Sequence, residues 1–483
     1  MNEVLDGISP AGLWHHFAEL SAIPRPSGYE LGTQRYVKSV ADAAGVPWRQ
    51  DQMGNLVLYL EGDPGPVVAV QTHLDMVCEK EPGVVHDFFK DPIRLARDGD
   101  RVHAQGTTLG ADNGIGAAAA LALMTEPGIA HGPLELVFTV QEETGLHGAV
   151  AFDAGLISAT MLINLDSEDP DTLTLGCAGG SAVEITLPLE PGEAPADWEA
   201  YRLTVGGVRG GHSGVSIHER RANAIKVLVK GLNALLESGT SVGLAGIEGG
   251  SAHNVIPRDA SALVLVPASG AAKLGRAIEQ VESAVREEWG SDEPDLRLSL
   301  AAEASPAQAM SPASVDKLLE LLSDLPHGVI AMSEHFPGKV ETSANLAKLE
   351  ATARSAHILA SVRSFATQKE LDARTMIESL GTHSGGSVVV EMGYPGWEPD
   401  PSSKLAGVAQ EQFRHVKGKA PIVEVLHAGL ECGVLVAKKP GLEAISFGPF
   451  IGGAHSPSET VLVSTVESMW RLLVGLLGAL RDR

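Results

Sequence analysis

Residues 66–75 read PVVAVQTHLD, an apolar run that ends in a histidine and an aspartate. A short apolar run of this kind predicts a buried strand. Two similar runs follow, LELVFTVQ at 134–141 and ATMLINLD at 159–166, and IGAAAALALM at 115–124 predicts a helix. Because strands alternate with helices, we predict an α/β fold with a central, mostly parallel sheet.

The pattern changes near residue 181. From residue 201 to 304 the predicted elements run strand, helix, strand, strand, helix, strand, which is the ferredoxin-like order. The two helices are ANAIKVLVKGLNALLES (222–238) and AAKLGRAIEQVESAVREEW (271–289). A helix–strand–strand–helix–strand series at about 313–393 predicts a second, incomplete copy of this arrangement.

The Pro- and Gly-rich stretch GYPGWEPDPSS (393–403) marks the end of the middle region. After it, α/β character resumes with a helix from residue 404, the strand LEAISFGPF (442–450) and a final helix. We therefore predict one discontinuous domain, built from residues 1–182 and 398–483, with an α+β domain inserted at 183–397.

Bulk composition limits the class of protein. The formal net charge is −25, which disfavours nucleic acid and anionic membranes as partners and fits either simple solubility or a cation-holding cleft. Three widely spaced cysteines and the absence of a signal-peptide pattern indicate a cytoplasmic protein. The run MWRLLVGLLGAL (469–480) is too short to span a membrane and predicts a buried helix.

Histidines and carboxylates cluster at the predicted strand ends. In open α/β sheets, sites lie beyond the carboxyl ends of the strands. Taken singly, each such residue has an ordinary explanation, as a loop histidine, a helix N-cap or a solvated surface carboxylate. Taken together they match the ligands of a divalent cation. The residues are His73, Asp75, Asp112, Glu142, Glu143, Asp166 and His455.

A mixed histidine and carboxylate set without cysteine indicates a two-metal catalytic site rather than a structural zinc. Such a site needs one bridging carboxylate, terminal ligands on each side, and a base that deprotonates a water molecule. The adjacent glutamates at 142 and 143 fit a division of labour, in which one binds metal and the other remains free as the base.

The motifs HLDMV (73–77), GADN (110–113), EETG (142–145), NLD (164–166) and HSPSE (455–459) resemble those of the dinuclear zinc peptidases. That family includes carboxypeptidase G, peptidase T and succinyl-diaminopimelate desuccinylase. Four further motifs resemble its aminoacyl-histidine dipeptidase branch. They are GCAGG (176–180), GGHSGVSIH (210–218), GGSAHNVIP (249–257) and HAGLECG (427–433).

The resemblance implies a catalytic domain that binds two zinc ions, for which cobalt or manganese could substitute. Asp112 resembles the bridging ligand, and the resemblance implies a cis peptide bond after it. His73 and Asp166 resemble the terminal ligands of one zinc. Glu143 and His455 resemble those of the other. Glu142 resembles the general base, and Asp75 the carboxylate that orients His73.

The inserted domain resembles a lid that also forms a homodimer. His212 resembles the histidine that stabilises the tetrahedral oxyanion, and in dimeric relatives it can come from the partner subunit. His218 flanks the same loop and could replace it. Asn254 and Arg363 resemble groups that hold the oxyanion or the substrate C-terminal carboxylate. Arg363 could instead be a surface arginine on a strand.

The function that the resemblance implies is hydrolysis of unblocked dipeptides, including Xaa-His substrates, by a two-zinc activated water with Glu142 as base. A tripeptidase, a carboxypeptidase or an N-acyl amino acid deacylase on the same scaffold is the alternative. A catalytically silent metal-binding protein is disfavoured, because the base and all five ligands are present. The expected partner is a small peptide.

Overall fold

The computed structural model describes residues 3–237, 239 and 241–482, and the chain forms two compact units. Unit 1 comprises Met1–Cys177, Trp397–Val425 and Leu430–Arg483. Unit 2 comprises Ala178–Gly396 and Leu426–Gly429. We expected the inserted domain to begin at residue 183, but unit 2 begins at residue 178. The reason is that a strand starting at Gly179 pairs within the sheet of unit 2.

The first segment of unit 1 alternates helices with strands. Its elements are α1 (Ala11–Ser21), α2 (Leu31–Ala44), β1 (Trp48–Gln50), β2 (Leu56–Leu60), β3 (Val68–His73), β4 (Leu95–Asp98), β5 (Arg101–Ala104), α3 (Ala111–Thr125), β6 (Leu134–Thr139), α4 (His147–Ala151), β7 (Met161–Asn164) and β8 (Thr172–Cys177).

Unit 2 is rich in strands. Its elements are β9 (Gly179–Pro188), β10 (Pro191–Glu193), β11 (Trp198–Gly206), β12 (Gly211–His212), α5 (Ala224–Glu237), β13 (Gly243–Gly249), β14 (Val255–Ile256), β15 (Ala260–Pro267), α6 (Ala271–Trp289), β16 (Arg297–Glu303), β17 (Gln308–Met310), α7 (Pro312–Asp324), β18 (Gly328–Met332), β19 (Val340–Ala351), β20 (Ser355–Ser364), α8 (Thr367–His383) and β21 (Ser387–Tyr394).

The last part of the chain returns to helix and strand alternation. Its elements are α9 (Lys404–Lys417), β22 (Ile422–Leu426), α10 (Glu431–Lys438), β23 (Glu443–Ser446), β24 (Ile451–Gly452), β25 (Thr460–Leu462) and α11 (Val463–Arg481). The helix predicted at 271–289 has those bounds. The one predicted at 222–238 forms α5, and its last residue lies outside the described residues.

The main sheet of unit 1 has the order β1-β2-β6-β3-β7-β23-β8-β22. Its four central strands, β6, β3, β7 and β23, run parallel, and antiparallel pairs flank them. β3 and β6 are buried along their whole length, as expected for strands covered on both faces. The predicted α/β class is confirmed, and the parallel character belongs to the centre of the sheet.

Two helices show how small and large apolar residues build this core. α3 carries the run AAAALAL, is buried almost all round, and packs against α1 and β3. α11 is the one helix, among the described residues, long and apolar enough to cross a membrane. Its leucines at 472, 473, 476, 477 and 480 are nevertheless buried in the core of unit 1, so the predicted buried helix is confirmed.

The large sheet of unit 2 has the order β16-β11-β15-β13-β19-β20-β9-β21, and β18 also pairs with β19. Its first half contains the predicted strand–helix–strand–strand–helix–strand unit, β11 to β16, in the ferredoxin-like spatial order. The second half repeats the arrangement with β9, α7, β19, β20, α8 and β21. The second copy is therefore complete, because its first strand, β9, precedes the first copy along the chain. The two copies join where β13 pairs with β19.

Candidate metal centre

The parallel strands of unit 1 end at one edge of the sheet. His73 at the end of β3 pairs with Thr139 at the end of β6, and Gln71 pairs with Asn164 at the end of β7. The polar residues that follow these strands therefore emerge side by side. This register brings together the glutamate pair, Asp166 and His73, which are far apart along the chain.

Asp112 lies between two sets of candidate ligands. Its Oδ1 is 3.0 Å from Nε2 of His73, and the same nitrogen is 3.4 Å from Oδ1 of Asp166. Its Oδ2 is 3.2 Å from Nε2 of His455, which is 3.0 Å from Oε2 of Glu143. The five residues thus form two triplets that share one carboxylate, the arrangement a bridged pair of cations requires.

The start of α3 determines where Asp112 points. The helix begins at Ala111, four residues earlier than predicted, and Asp112 and Asn113 have non-helical backbone angles. The peptide bond between them is cis, as the resemblance implies. The side-chain amide of Asn113 donates to the carbonyl oxygen of Leu165 at 2.8 Å and to the carboxylate of Asp166. Asn113 therefore ties the two ligand-bearing segments to each other.

Asp75 connects His73 with the glutamate pair. Its Oδ1 lies 3.4 Å from Nδ1 of His73 and accepts the backbone N–H of Glu142 at 3.0 Å. Its Oδ2 accepts the backbone N–H of Glu143 at 3.1 Å and the hydroxyl of Ser27 at 2.7 Å. Burial opposes ionisation, but the hydrogen bonds and the charge of His73 lower the pKa of Asp75 to about 2. Asp75 is therefore an anion that fixes the backbone of both glutamates.

The backbone preceding the glutamates is left-handed. Gln141 has φ 51°, which ends β6 at Thr139, two residues before the predicted end. Its N–H donates to Oε1 of Glu30 at 3.0 Å. His455, on the other side of the centre, also has a positive φ, of 60°. Non-glycine residues in this region cost about 1–3 kcal/mol each and concentrate at functional sites.

The donor set fits a pair of divalent cations. Two imidazoles and three carboxylates are ligands of the kind that zinc accepts, and ligand atoms of His73, Asp112 and Glu143 lie within 4.8 Å of one another. Oε1 of Glu143 is buried and has no hydrogen-bond partner among the described residues. Hydrogen bonds to Asp112 and Glu143 raise the pKa of His455 to about 11. Such proton affinity reflects an excess of negative charge that cations would balance.

Burial shapes the remaining charges. Burial alone would lower the pKa of His73, but Asp166, Asp112 and Asp75 raise it well above its ordinary value. Burial, opposed by His73 and assisted by Asp112, raises the pKa of Asp166 to about 7. Burial also raises the pKa of Glu142 well above its usual range, and Asp166 adds to that effect. Glu142 belongs to neither ligand triplet, but charged members of both triplets shift its pKa.

Two of the predicted residues of unit 2, His212 and Arg363, lie next to Gly214. A Cβ atom at Gly214 would lie 2.3 Å from the carbonyl oxygen of His427, 3.2 Å from Cε1 of His212 and 3.3 Å from Cδ of Arg363. We call His212, Arg363, His427 and Tyr394 the Gly214 cluster; Arg363 donates through Nη1 to the hydroxyl of Tyr394 at 3.0 Å. Arg363 is 8% exposed, so it is not a surface arginine.

His212 is held in one tautomer. Its Nδ1 accepts the backbone N–H groups of Gly214 and Val215 at 3.1 and 3.0 Å. Burial, with a contribution from Arg363, lowers the pKa of His212 to about 4. The ring is therefore neutral near pH 7 and carries its proton on Nε2, where it can donate a hydrogen bond.

The two other predicted residues of unit 2 differ in exposure. His218 is exposed. Asn254 is half-buried next to β14, which pairs with His212 through Val255, and its carbonyl oxygen accepts the N–H of Ser213 at 2.8 Å. The backbone pairing places Asn254 beside the His212 loop.

Several residues near these groups were not singled out from the sequence. They are Arg25, Ser27, Asn113, His427, Glu431 and Glu459. Glu431 is fully buried, and its carboxylate accepts the hydroxyl of Thr139 at 2.6 Å and the amide of Gln71. Glu459 and His427 stand in the HSPSE and HAGLECG motifs, so those motifs could have pointed to them. No local pattern marks Arg25 or Ser27.

Comparison with known proteins is consistent with this geometry. Peptidase family M20/M25/M40 matches residues 69–479. The cytosol non-specific dipeptidase of Escherichia coli K12 is 37% identical over 478 residues, 98% of each chain. The crystal structure of the aminoacylhistidine dipeptidase of Vibrio alginolyticus has a TM-score of 0.91 at 35% identity, covering 98% of both chains. The aminopeptidase PepT of Bacillus cereus shares the fold, with a TM-score of 0.58 at 17% identity over 98% of this chain and 99% of its own.

Proposed function

The chain belongs to peptidase family M20/M25/M40, and from that premise we propose that it hydrolyses dipeptides with a free N-terminus, including aminoacyl-histidine dipeptides. The observation that carries the proposal is the position of Asp112, one oxygen of which faces His73 and the other His455. An ordinary surface carboxylate would not lie between two groups that each contain an imidazole and a second carboxylate. The names of the E. coli and Vibrio relatives support the dipeptide as substrate.

The residues that would hold the cations follow from the two triplets. His73 and Asp166 would bind one ion, Glu143 and His455 the other, and Asp112 both. Zinc suits this donor set, and cobalt and manganese are the expected substitutes. When bound, such a pair of divalent ions polarises the scissile carbonyl and lowers the pKa of water.

Glu142 is the proposed general base. It follows the same strand as Glu143 and its backbone is held by Asp75, but it is absent from both triplets. A free carboxylate beside the centre can take the proton of the attacking water and transfer it to the leaving amine. Burial raises the pKa of Glu142 above the usual carboxylate range, which increases its affinity for the proton that it would carry.

The Gly214 cluster supplies the proposed substrate contacts. The Nε2–H group of neutral His212 would donate to the oxyanion of the tetrahedral intermediate. The planar fork of Arg363 suits the substrate C-terminal carboxylate, and its Nε is buried without a partner among the described residues. Asn254 is a second donor to either group. His218 is the alternative to His212, and its exposure makes it the weaker candidate.

We also propose a cytoplasmic homodimer that associates through unit 2, the proposed lid. The three cysteines are free, and the E. coli relative is named a cytosol enzyme. The acidic composition disfavours nucleic acid and membrane surfaces as partners. Light scattering of the purified protein tests the dimer. His212 could then act in its own subunit or in that of the partner.

The experiment that tests the function is a substrate panel on metal-stripped protein. Gly-His, carnosine, a tripeptide and an N-acetyl amino acid are assayed with zinc, cobalt or manganese restored in turn. We expect Gly-His to be hydrolysed at least ten times faster than the tripeptide or the N-acetyl amino acid. Preference for the tripeptide or the acylated substrate would overturn the dipeptidase assignment, and full metal loading without turnover would overturn the enzyme.

A further inference from the structure

The carboxylate of Glu459 holds the loop that carries Asp112. Its Oε2 accepts the backbone N–H groups of Leu109 and Gly110 at 2.8 and 2.9 Å. Its Oε1 accepts those of Ala111 and Asp112 at 2.7 and 3.3 Å. Glu459 is 2% exposed, so four successive amides of one loop converge on a carboxylate that is shielded from water.

Arg25 holds the same loop from the other side. Its guanidinium is buried and donates through Nη2 to the carbonyl oxygen of Gly110. Through Nη1 it donates to the carbonyl oxygens of Leu74 and Asp75, at 3.1 and 2.9 Å. Arg25 therefore connects the end of β3, which carries His73, with the loop that carries Asp112.

Glu459 and Arg25 both bind the backbone of Gly110. Glu459 binds its N–H and Arg25 binds its carbonyl oxygen. Its φ is +69°, and a Cβ atom would lie 2.5 Å from Nη2 of Arg25 and 2.9 Å from the sulfur of Met76. Only glycine satisfies both the backbone conformation and the close approach of the guanidinium.

The energetics indicate a role other than stability. Removing a carboxylate and a guanidinium from water is costly, so a buried pair of this kind contributes little net stability compared with apolar residues. Here both charged side chains form hydrogen bonds with backbone groups of the segments that carry His73 and Asp112. Their placement constrains the spacing of those segments without contacting either imidazole.

We infer that Glu459 and Arg25 are positioning residues that hold the Asp112 loop against the end of β3, so that both carboxylate oxygens of Asp112 are in place before metal binds. The inference rests on the proposed metal centre. It assigns the last residue of the HSPSE motif, Glu459, a role different from that of the first, His455, which lies next to a carboxylate oxygen of Asp112.

The test compares Glu459→Gln with Glu135→Gln. Glu135 is also a buried carboxylate of unit 1 that accepts backbone amides, those of Ser158 and Ala159, but it lies at the other end of β6. Zinc affinity of each metal-free protein is measured by competition with a chromogenic chelator, and folding by circular dichroism. We expect Glu459→Gln to weaken zinc binding 10- to 100-fold, the usual cost of losing a group that orients ligands. Glu135→Gln should leave it within twofold.

Arg25→Lys provides a second measurement, because lysine keeps the charge but lacks the planar fork whose two nitrogens reach the carbonyl oxygens of both segments. We expect weaker zinc binding than in the wild type, and this variant decides the matter if Glu459→Gln does not fold. Wild-type zinc affinity in a folded Glu459→Gln or Arg25→Lys protein would overturn the inference. Wild-type protein that binds no zinc would instead overturn the metal centre, and wild-type protein that binds zinc without hydrolysing dipeptides would overturn only the proposed activity.

Discussion

The adjacent glutamates allow the proposed chemistry to be separated from metal binding by two nearly identical substitutions. Glu142→Gln removes a carboxylate that belongs to neither ligand triplet, whereas Glu143→Gln removes one that lies 3.0 Å from His455. Both variants keep the backbone N–H groups that donate to Asp75, so the turn itself should persist.

The expected losses differ in kind. Without its base, Glu142→Gln should lose about 10²- to 10⁴-fold in kcat, or about 3–5 kcal/mol of transition-state stabilisation. Its metal content should not change, because the two triplets around Asp112 are intact. Glu143→Gln should lose one of two metal equivalents, since the His455 side of the centre would retain only one carboxylate.

The assay is Gly-His hydrolysis under saturating substrate, with metal content measured by mass spectrometry on the same samples. Each variant serves as the control of the other, because the two changes are chemically identical and neighbouring in sequence. A Glu142→Gln enzyme with more than a tenth of wild-type kcat would refute the assignment of the base. Two full metal equivalents in Glu143→Gln would refute the ligand set.

Three further predictions concern the oxyanion donor, the metal and a buried histidine. Replacing His212 with Asn should lower kcat about 10²- to 10³-fold with zinc content unchanged, because the Nε2–H donor is lost; an unaltered kcat in steady-state assays would contradict the role. Stripping metal with a chelator should lower the melting temperature, and zinc at 100 times its dissociation constant should restore about 2.7 kcal/mol, as calorimetry would show; equal melting temperatures would argue against the site. Burial, assisted by His15, lowers the pKa of His16 to about 4, below its unfolded value, so stability should be lost as pH falls from 6.5 towards 4. Urea titrations should show a loss over that range larger by up to about 3 kcal/mol than in His16→Gln, and parallel losses would contradict the assignment.

The class of fold and the edge of the sheet that carries the site follow from local features of the amino-acid sequence. Buried apolar runs ending in His73 and Asp166 require a layered α/β fold, and parallel strands present their carboxyl ends on one side. These signals are local, because strand periodicity and strand ends can be read without knowing what packs against them. The helix Ala271–Trp289 was placed for the same reason, since its apolar positions recur at helical spacing.

The way in which those residues meet depends on contacts between distant segments of the folded chain. The two oxygens of Asp112 face different ligand sets because Arg25, Gly110 and Glu459 determine how the chain enters α3. Those three residues come from distant parts of the chain. β9 belongs to the second ferredoxin-like copy but precedes the first copy along the chain. Sequence order alone therefore predicts an incomplete second copy, and the pairing of β9 with β20 shows that it is complete. Contacts between distant segments leave no periodic trace along the chain, because they are selected by packing and hydrogen bonding in three dimensions.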